Sequence, residues 1–196
     1  MKLRGLIFDM DGTIVDVPYD WPRIRGDLNT GGQTILAHLE SLSEPERSRK
    51  WSVLEGYEKT ATDNAALKPG IPQLMELLAR HSIRIALVSN NSRKNVHLLL
   101  SRFHLEFDIV LSREDGLWKP SAGPFLHVLR EWDMPRAECG VVGDAIFDVQ
   151  AAQAAGIYRI LVIHSSADRD RTRFNGTGAE VFDTIPALQD RISRLI

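Results

Sequence analysis

Short apolar runs that alternate with longer helical patterns constrain the fold of this chain more than any other feature. Parallel neighbours in a sheet cannot be joined by a tight turn, so this alternation marks a parallel sheet with crossover helices. Strand candidates are residues 3–8, 83–88, 107–111, 140–142 and 158–163. Residues 71–80 carry Leu74, Leu77 and Leu78 on one helical face, and Ser92 is placed to cap a helix bearing Val96, Leu99, Leu100 and Phe103. Further helices are expected over 124–132, over 145–155 with Gly156 as a stop, and over 185–196.

Residues 16–68 break the rhythm. They follow a strand and read as two helices with no strand of their own. The first contains Ile35, Leu36, Leu39 and Leu42; the second starts from a capping box, Ser43 to Glu46, and runs past Trp51, Leu54 and Tyr57. A crossover needs only about 10–15 residues. An inserted helical subdomain over 16–68 therefore fits better, leaving 1–15 and 69–196 as the main domain. Trp51, Leu54 and Tyr57 are expected to pack inside that insertion.

A chain of 196 residues with 43% apolar content can bury one substantial core. Its net charge of −2 comes with scattered basic residues. That speaks against a nucleic-acid partner, which needs a concentrated cationic face. No run approaches the roughly 20 apolar residues of a membrane span, and the N-terminal apolar stretch is too short for a signal sequence. A cytoplasmic protein is expected, with no repeat or low-complexity segment. Cys139, the single cysteine, reads as a small buried hydrophobe. Residues 165–179 read as a polar surface loop. Arg169, Arg171 and Arg173 alternate there with Asp168 and Asp170, which favours a solvated face over an anion site.

Four features fall where strands end, the place ligands occupy in open α/β sheets. The first strand stops at Asp9-Met10-Asp11-Gly12-Thr13. Two carboxylates straight after a buried run carry a solvation cost that a structural role rarely requires, and a carboxylate can act as a nucleophile toward phosphorus. The second strand ends at Ser89-Asn90-Asn91-Ser92, where a hydroxyl and N–H groups at a helix start suit phosphate oxygens, although the same residues also make plain turns. Lys119, before Pro120, could neutralise a phosphate, but a lone lysine is usually a surface residue. The fourth strand ends at Gly143-Asp144, with Asp148 four residues on; a helix starting near Asp144 would put both acids on one face, as oxygen ligands suited to Mg²⁺.

Together and in this order, DxDGT, a hydroxyl ending the second strand, Lys-Pro and GDxxxD resemble the haloacid dehalogenase superfamily of hydrolases. The helical insertion is similar to that of phosphoglycolate phosphatase and its relatives. The resemblance covers most of the chain and implies a Rossmann-like three-layer α/β fold with a helical cap. It implies that Asp9 is the nucleophile and a Mg²⁺ ligand, and that Asp11 is the general acid and then base, with its carbonyl on the metal. Ser89, Asn90 and Lys119 would bind phosphate; Asp144 would bind Mg²⁺; Asp148 would orient that shell or Lys119. Asp11 separates phosphatases from the dehalogenases and phosphonatases, which lack it. A phosphatase of small phosphorylated metabolites such as phosphoglycolate or a sugar phosphate is expected, with a phosphomutase, an idle phosphate-binding module and, as a poorer fit, a receiver domain as alternatives. Trp21, Arg23, Arg25 and Lys59 are the cap side chains that could face a substrate. The two arginines read first as surface residues and second as readers of a substrate carboxylate or second phosphate. Oligomeric state is not legible in the sequence.

Overall fold

The computed structural model describes residues 2–164 and 170–196. They form two compact units, one of residues up to Asp16 together with Ala66–Ile196, the other of Val17–Ala65. In chain order the elements begin β1 (Gly5–Phe8), β2 (Val15–Asp16), α1 (Trp21–Leu28), α2 (Ile35–Ser41), α3 (Glu46–Asp63), β3 (Ala66–Leu67), α4 (Ile71–Arg80) and β4 (Arg84–Val88). They continue α5 (Arg93–Phe103), β5 (Ile109–Leu111), α6 (Gly123–Trp132), β6 (Cys139–Gly143), α7 (Ile146–Ala154), β7 (Arg159–Ile163), β8 (Glu180–Phe182) and α8 (Ile185–Ser193).

Six strands make one parallel sheet in the order β5-β4-β1-β6-β7-β8. The chain builds outward from β1 through β4 to β5, then returns to lay β6 on the other side of β1. That reversal is a topological switch point, the crevice where α/β sheets bind ligands. Register sharpens it: Phe8 lies opposite Leu87 of β4 and Val142 of β6, so three strands run out at one level.

Side chains of a strand alternate between faces, and both faces here are covered. Ile7, Ala86, Val88, Val141, Ile160 and Val162 share one buried cluster with Phe125, Val128 and Trp132 of α6 and Val149 and Ala152 of α7. Helices α4 and α8 pack on each other, and α8 also packs on β7 and β8. The sheet is near-continuously apolar because water reaches neither face. Cys139 opens β6, fully buried, and burial pushes its thiol pKa up to about 12. It packs; it does not react. Among the described residues, no helix is long and apolar enough to cross a membrane.

In the smaller unit α1 and α2 both pack on α3, burying Ile24, Leu28, Leu36, Leu39 and Leu54. The sequence reading gave two helices here; there are three. Helix α1 offers only Ile24 and Leu28 as an inward stripe, and Pro22 and Gly26 weaken its pattern. It forms because Pro22 sits in the first turn, where no N–H is needed, and the Asp20 carboxylate accepts from Arg23 N–H at 3.0 Å. The Ser43–Glu46 capping box is absent. With Pro45 at the N-cap, α3 begins at Glu46, so that residue lies too early to reach back; Glu44 instead accepts from the Ser48 N–H (3.2 Å) and hydroxyl (2.6 Å).

Residues 66–67 also depart from the helical reading. They pair antiparallel with β2, Val15 opposite Leu67, and the buried Lys68 forms an ion pair with Asp16 beside them. A two-residue strand leaves no period-2 pattern to read. Strand β8 likewise lies outside the strand candidates, because its three residues behind a polar stretch carry too little alternation to read. Of that stretch, Asp168 and Arg169 fall outside the described residues, whereas Arg171–Phe174 makes a short 3-10 turn. The last helix ends at Ser193, short of the chain end.

Phe125 tests the shared core directly. Replacing it with alanine should cost about 3–5 kcal/mol, read as a lowered urea midpoint with little change in m-value.

Candidate active site

Three strand ends and one loop bring the acids and the lysine together. The Asp9 N–H donates to Val142 O at 2.9 Å, extending the β1–β6 ladder by one residue and fixing Asp9 beside Gly143-Asp144. On the other side the Ser89 N–H donates to Leu111 O at 2.9 Å. Asp9, Ser89, Lys119, Asp144 and Asp148 are all buried.

Lys119 is the centre of the cluster. Its Nζ donates to Asp9 Oδ1 at 2.5 Å and Asp148 Oδ1 at 2.7 Å. Its backbone is gripped by the Asn90 side chain, whose Nδ2 donates to Lys119 O and whose Oδ1 accepts from Lys119 N–H, both at 2.9 Å. The expectation for Asn90 was a phosphate contact; its side-chain amide is engaged in holding Lys119. Asp148 stands at the third position of α7, where its second oxygen accepts from the Ala145 N–H at 3.0 Å. The helix begins at Ile146, not near Asp144, so the two acids meet across the helix N-terminus and do not line one face.

Asp9, Asp144 and Asp148 each offer a carboxylate oxygen within 4.8 Å of the others, a group that could hold a metal ion. Hard oxygen donors at this spacing fit a small divalent cation, whose octahedral ligands stand about 3–4 Å apart. Two glycines allow the approach. Gly12 has φ +86°, and a Cβ there would fall 2.2 Å from Asp144 Oδ2; a Cβ on Gly143 would fall 2.4 Å from Asp148 Cγ.

Burial is the largest influence on Asp9 and drives its pKa well above the carboxylate range; Lys119 opposes this, while Asp148, Asp144 and Asp11 add to it. Burial would also lower Lys119, but the Asp148 and Asp9 carboxylates outweigh it and hold the ammonium above its ordinary value. Lys119 is therefore a fixed cation and Asp9 a carboxylate under electrostatic load.

Two residues named in the sequence, Asn91 in the turn after the second strand and Arg173 in the polar 165–179 stretch, take roles in this site that the sequence reading does not assign them. Asn91 donates from Nδ2 to Asp11 Oδ2 at 3.0 Å, and its N–H donates to Ser89 Oγ at 3.1 Å. Arg173 donates to Asp144 O at 2.9 Å, its guanidinium 4.7 Å from the Phe174 ring centroid. Arg171 instead pairs with Asp183 at 2.8 Å on the surface, as a solvated face predicts. Only position beside Ser89-Asn90 could have flagged Asn91; nothing local distinguishes Arg173 from Arg171. The cap candidates lie in the smaller unit: Trp21 stacks on Tyr19, the Arg23 guanidinium is 5.9 Å from the Tyr57 ring centroid, Lys59 pairs with Asp63, and Arg25 is exposed.

A family model described as haloacid dehalogenase-like hydrolase matches residues 23–162, a span that holds Ser89, Lys119, Asp144 and Asp148 but starts after Asp9 and Asp11. A haloacid dehalogenase-like hydrolase domain-containing protein of Arabidopsis thaliana is 30% identical over 175 residues, covering 82% of this chain and 71% of the relative. A phosphoglycolate phosphatase of Chromobacterium violaceum is 26% identical, covering 85% and 87%. The crystal structure of a hydrolase from Pseudomonas syringae superposes with a TM-score of 0.78 at 20% identity, covering 98% and 99%.

Two outcomes are expected. Gly143→Ala should lower stability by about 1–3 kcal/mol by overpacking against Asp148, measured by urea denaturation. Asp9→Asn should do the opposite in metal-free protein. A raised acid pKa means the folded state holds its proton more tightly, so stability falls as pH rises through the window from the ordinary value to the raised one. Asparagine removes that loss while Lys119 keeps Asp148 as partner. At pH 7, in chelator, the variant should be more stable than wild type by about 0.5–2 kcal/mol, and the gap should close by about pH 3, below the ordinary carboxyl value, where the Asp9 carboxyl is protonated in the folded and the unfolded chain alike.

Proposed function

The chain belongs to the haloacid dehalogenase-like hydrolase family, and we propose that it is a phosphatase in which the Asp9 carboxylate attacks the phosphorus of a phosphate monoester. The observation that carries this reading is the Lys119 ammonium, buried and bonded to Asp9 at 2.5 Å beside a second acid, Asp11. An anion approaching an anionic phosphate needs a fixed positive charge beside it, aimed where charge develops and costing no reorganisation.

In the first step an Asp9 oxygen forms a bond to phosphorus as the bond to the leaving oxygen breaks, and Asp11 gives that oxygen a proton. In the second a water attacks the aspartyl-phosphate at phosphorus, Asp11 takes its proton, and Asp9 leaves as carboxylate with inorganic phosphate. Proton transfer at Asp11 is worth about 10²–10⁴-fold. The Ser89 hydroxyl, the Lys119 ammonium and the backbone at Asn90 would hold the non-bridging oxygens. Asp9 and Asp144, with the Asp11 carbonyl, would hold Mg²⁺, and Asp148 would anchor Lys119. Bound there, Mg²⁺ supplies positive charge that offsets repulsion between the carboxylate and the phosphate.

The substrate class we propose is a small phosphorylated metabolite, phosphoglycolate or a sugar phosphate, in line with the phosphoglycolate phosphatase similarity. We further propose that the smaller unit, residues 17–65, serves as the substrate-selecting cap that the family resemblance implies.

Phosphate release from p-nitrophenyl phosphate and a panel of phosphorylated metabolites, with Mg²⁺ or chelator, is the test. Turnover should need Mg²⁺ and vanish in Asp9→Asn. Phosphoryl migration within a sugar phosphate, without phosphate release, would make the protein a mutase; no turnover by folded, Mg²⁺-loaded protein on any substrate would overturn the reading.

A further inference from the structure

Asn91 is buried, 4% exposed, and its side-chain hydrogen bonds run in defined directions. Its Oδ1 accepts from the Ser92 N–H at 2.8 Å and from Asn95 Nδ2 at 3.1 Å. Two donors on one atom settle which end of the amide is oxygen, a choice that hydrogen-bond networks decide. The other end is therefore the NH₂ group, and it faces Asp11 Oδ2 at 3.0 Å. The backbone is held as firmly: the Asn91 N–H donates to Ser89 Oγ at 3.1 Å, and its carbonyl accepts from the Arg113 N–H at 3.0 Å.

We propose that Asn91 is the positioning residue for Asp11, fixing which of its carboxyl oxygens carries the transferred proton. The proposal rests on the phosphatase reading above. An amide N–H can donate but not accept. While Asn91 donates to Oδ2, the proton that Asp11 delivers must sit on Oδ1. As the bond from phosphorus to the leaving oxygen breaks, that proton passes from Oδ1 to the departing oxygen, and the carboxylate left behind keeps the Asn91 N–H on Oδ2. The amide thus fixes the carboxyl rotamer and stabilises the form that the transfer produces. Asn91 touches no reacting atom in this account; it acts through Asp11.

The two asparagines then divide the work of one loop. Asn90 holds the backbone of Lys119, and Asn91 holds the side chain of Asp11, so the turn after β4 sets the cation and the acid in one frame.

Leaving-group dependence separates positioning from mere structure. Mg²⁺-loaded wild type, Asn91→Ala, Asn91→Asp and Asp11→Asn are compared by kcat/KM on p-nitrophenyl phosphate, whose leaving group needs no proton, and on alkyl phosphates, whose leaving group does. Asn91→Asp keeps the acceptor for Ser92 and Asn95 while removing the donor, so it tests the idea even if the alanine variant folds poorly; thermal denaturation checks both. The expected result is a loss of about 10²-fold on alkyl phosphates, the scale of a misplaced catalytic group, against about tenfold or less on p-nitrophenyl phosphate. Asp11→Asn should show the same signature more strongly. An equal loss on both substrate types, or no loss, overturns the role of Asn91 while leaving Asp11 as the acid. A flat profile in Asp11→Asn removes the acid itself, and the proposal falls with that part of the phosphatase reading.

Discussion

The Lys119 ammonium, closed between the Asp9 and Asp148 carboxylates, is the contact on which the rest of the structure turns. A buried ion pair repays its desolvation only where geometry is tight and the remaining hydrogen-bonding capacity is met. The surrounding elements meet those demands in turn. Asn90 fixes the lysine backbone from β4's end, the start of α7 holds the far oxygen of Asp148, and the ladder bond from Asp9 to Val142 keeps the third partner in line. Each contact comes from a different segment, so the cluster can form only once the sheet has brought β1, β4 and β6 together.

That dependence explains the sheet order. With β1 central and β4 and β6 beside it at one level, carboxylates far apart in sequence come within 4.8 Å of one another, and Ser89 follows the end of the neighbouring strand. The two glycines then decide how closely. Gly12 takes a left-handed φ, and Gly143 lies against Asp148; any side chain at either would occupy the space of a carboxylate. The apolar runs build the sheet, and the residues without side chains leave room for the charges.

These features differ in how openly the sequence states them. Continuous apolar strands ending on Asp9 and Asp144 announce both a doubly covered sheet and a candidate site at its edge, because burying a carboxylate carries a cost that a structural role rarely requires. The five strand candidates and the α4–α8 helices follow from periodicity. What escaped has short-range or weak signals: the two-residue β2–β3 pair, the two-residue apolar stripe of α1, and strand β8 behind a polar stretch. The capping box at Ser43 misled because Pro45 shifts the start of α3. In the site, Asn91 and Arg173 act through contacts to residues 80 and 29 positions away, which no local pattern encodes. Asn90 was legible as a site residue, but not that its amide would face Lys119.

Charge balance links this geometry to the chemistry. Four carboxylates, Asp9, Asp11, Asp144 and Asp148, bear on one ammonium, and the influences on Asp9 show the imbalance: burial and three acids push its pKa up against a single lysine. A phosphate brought to that site would meet excess negative charge, and the Lys119 ammonium there is already shared between two acids. The start of α5, with Ser92 as its N-cap, adds the partial positive charge of a helix N-terminus, but such an end counts for only about half an elementary charge. Attack by Asp9 on an anion therefore calls for a further cation, and the three oxygens within 4.8 Å of one another are where it would do the most. The metal in the proposed reaction follows from this deficit of positive charge as much as from family resemblance.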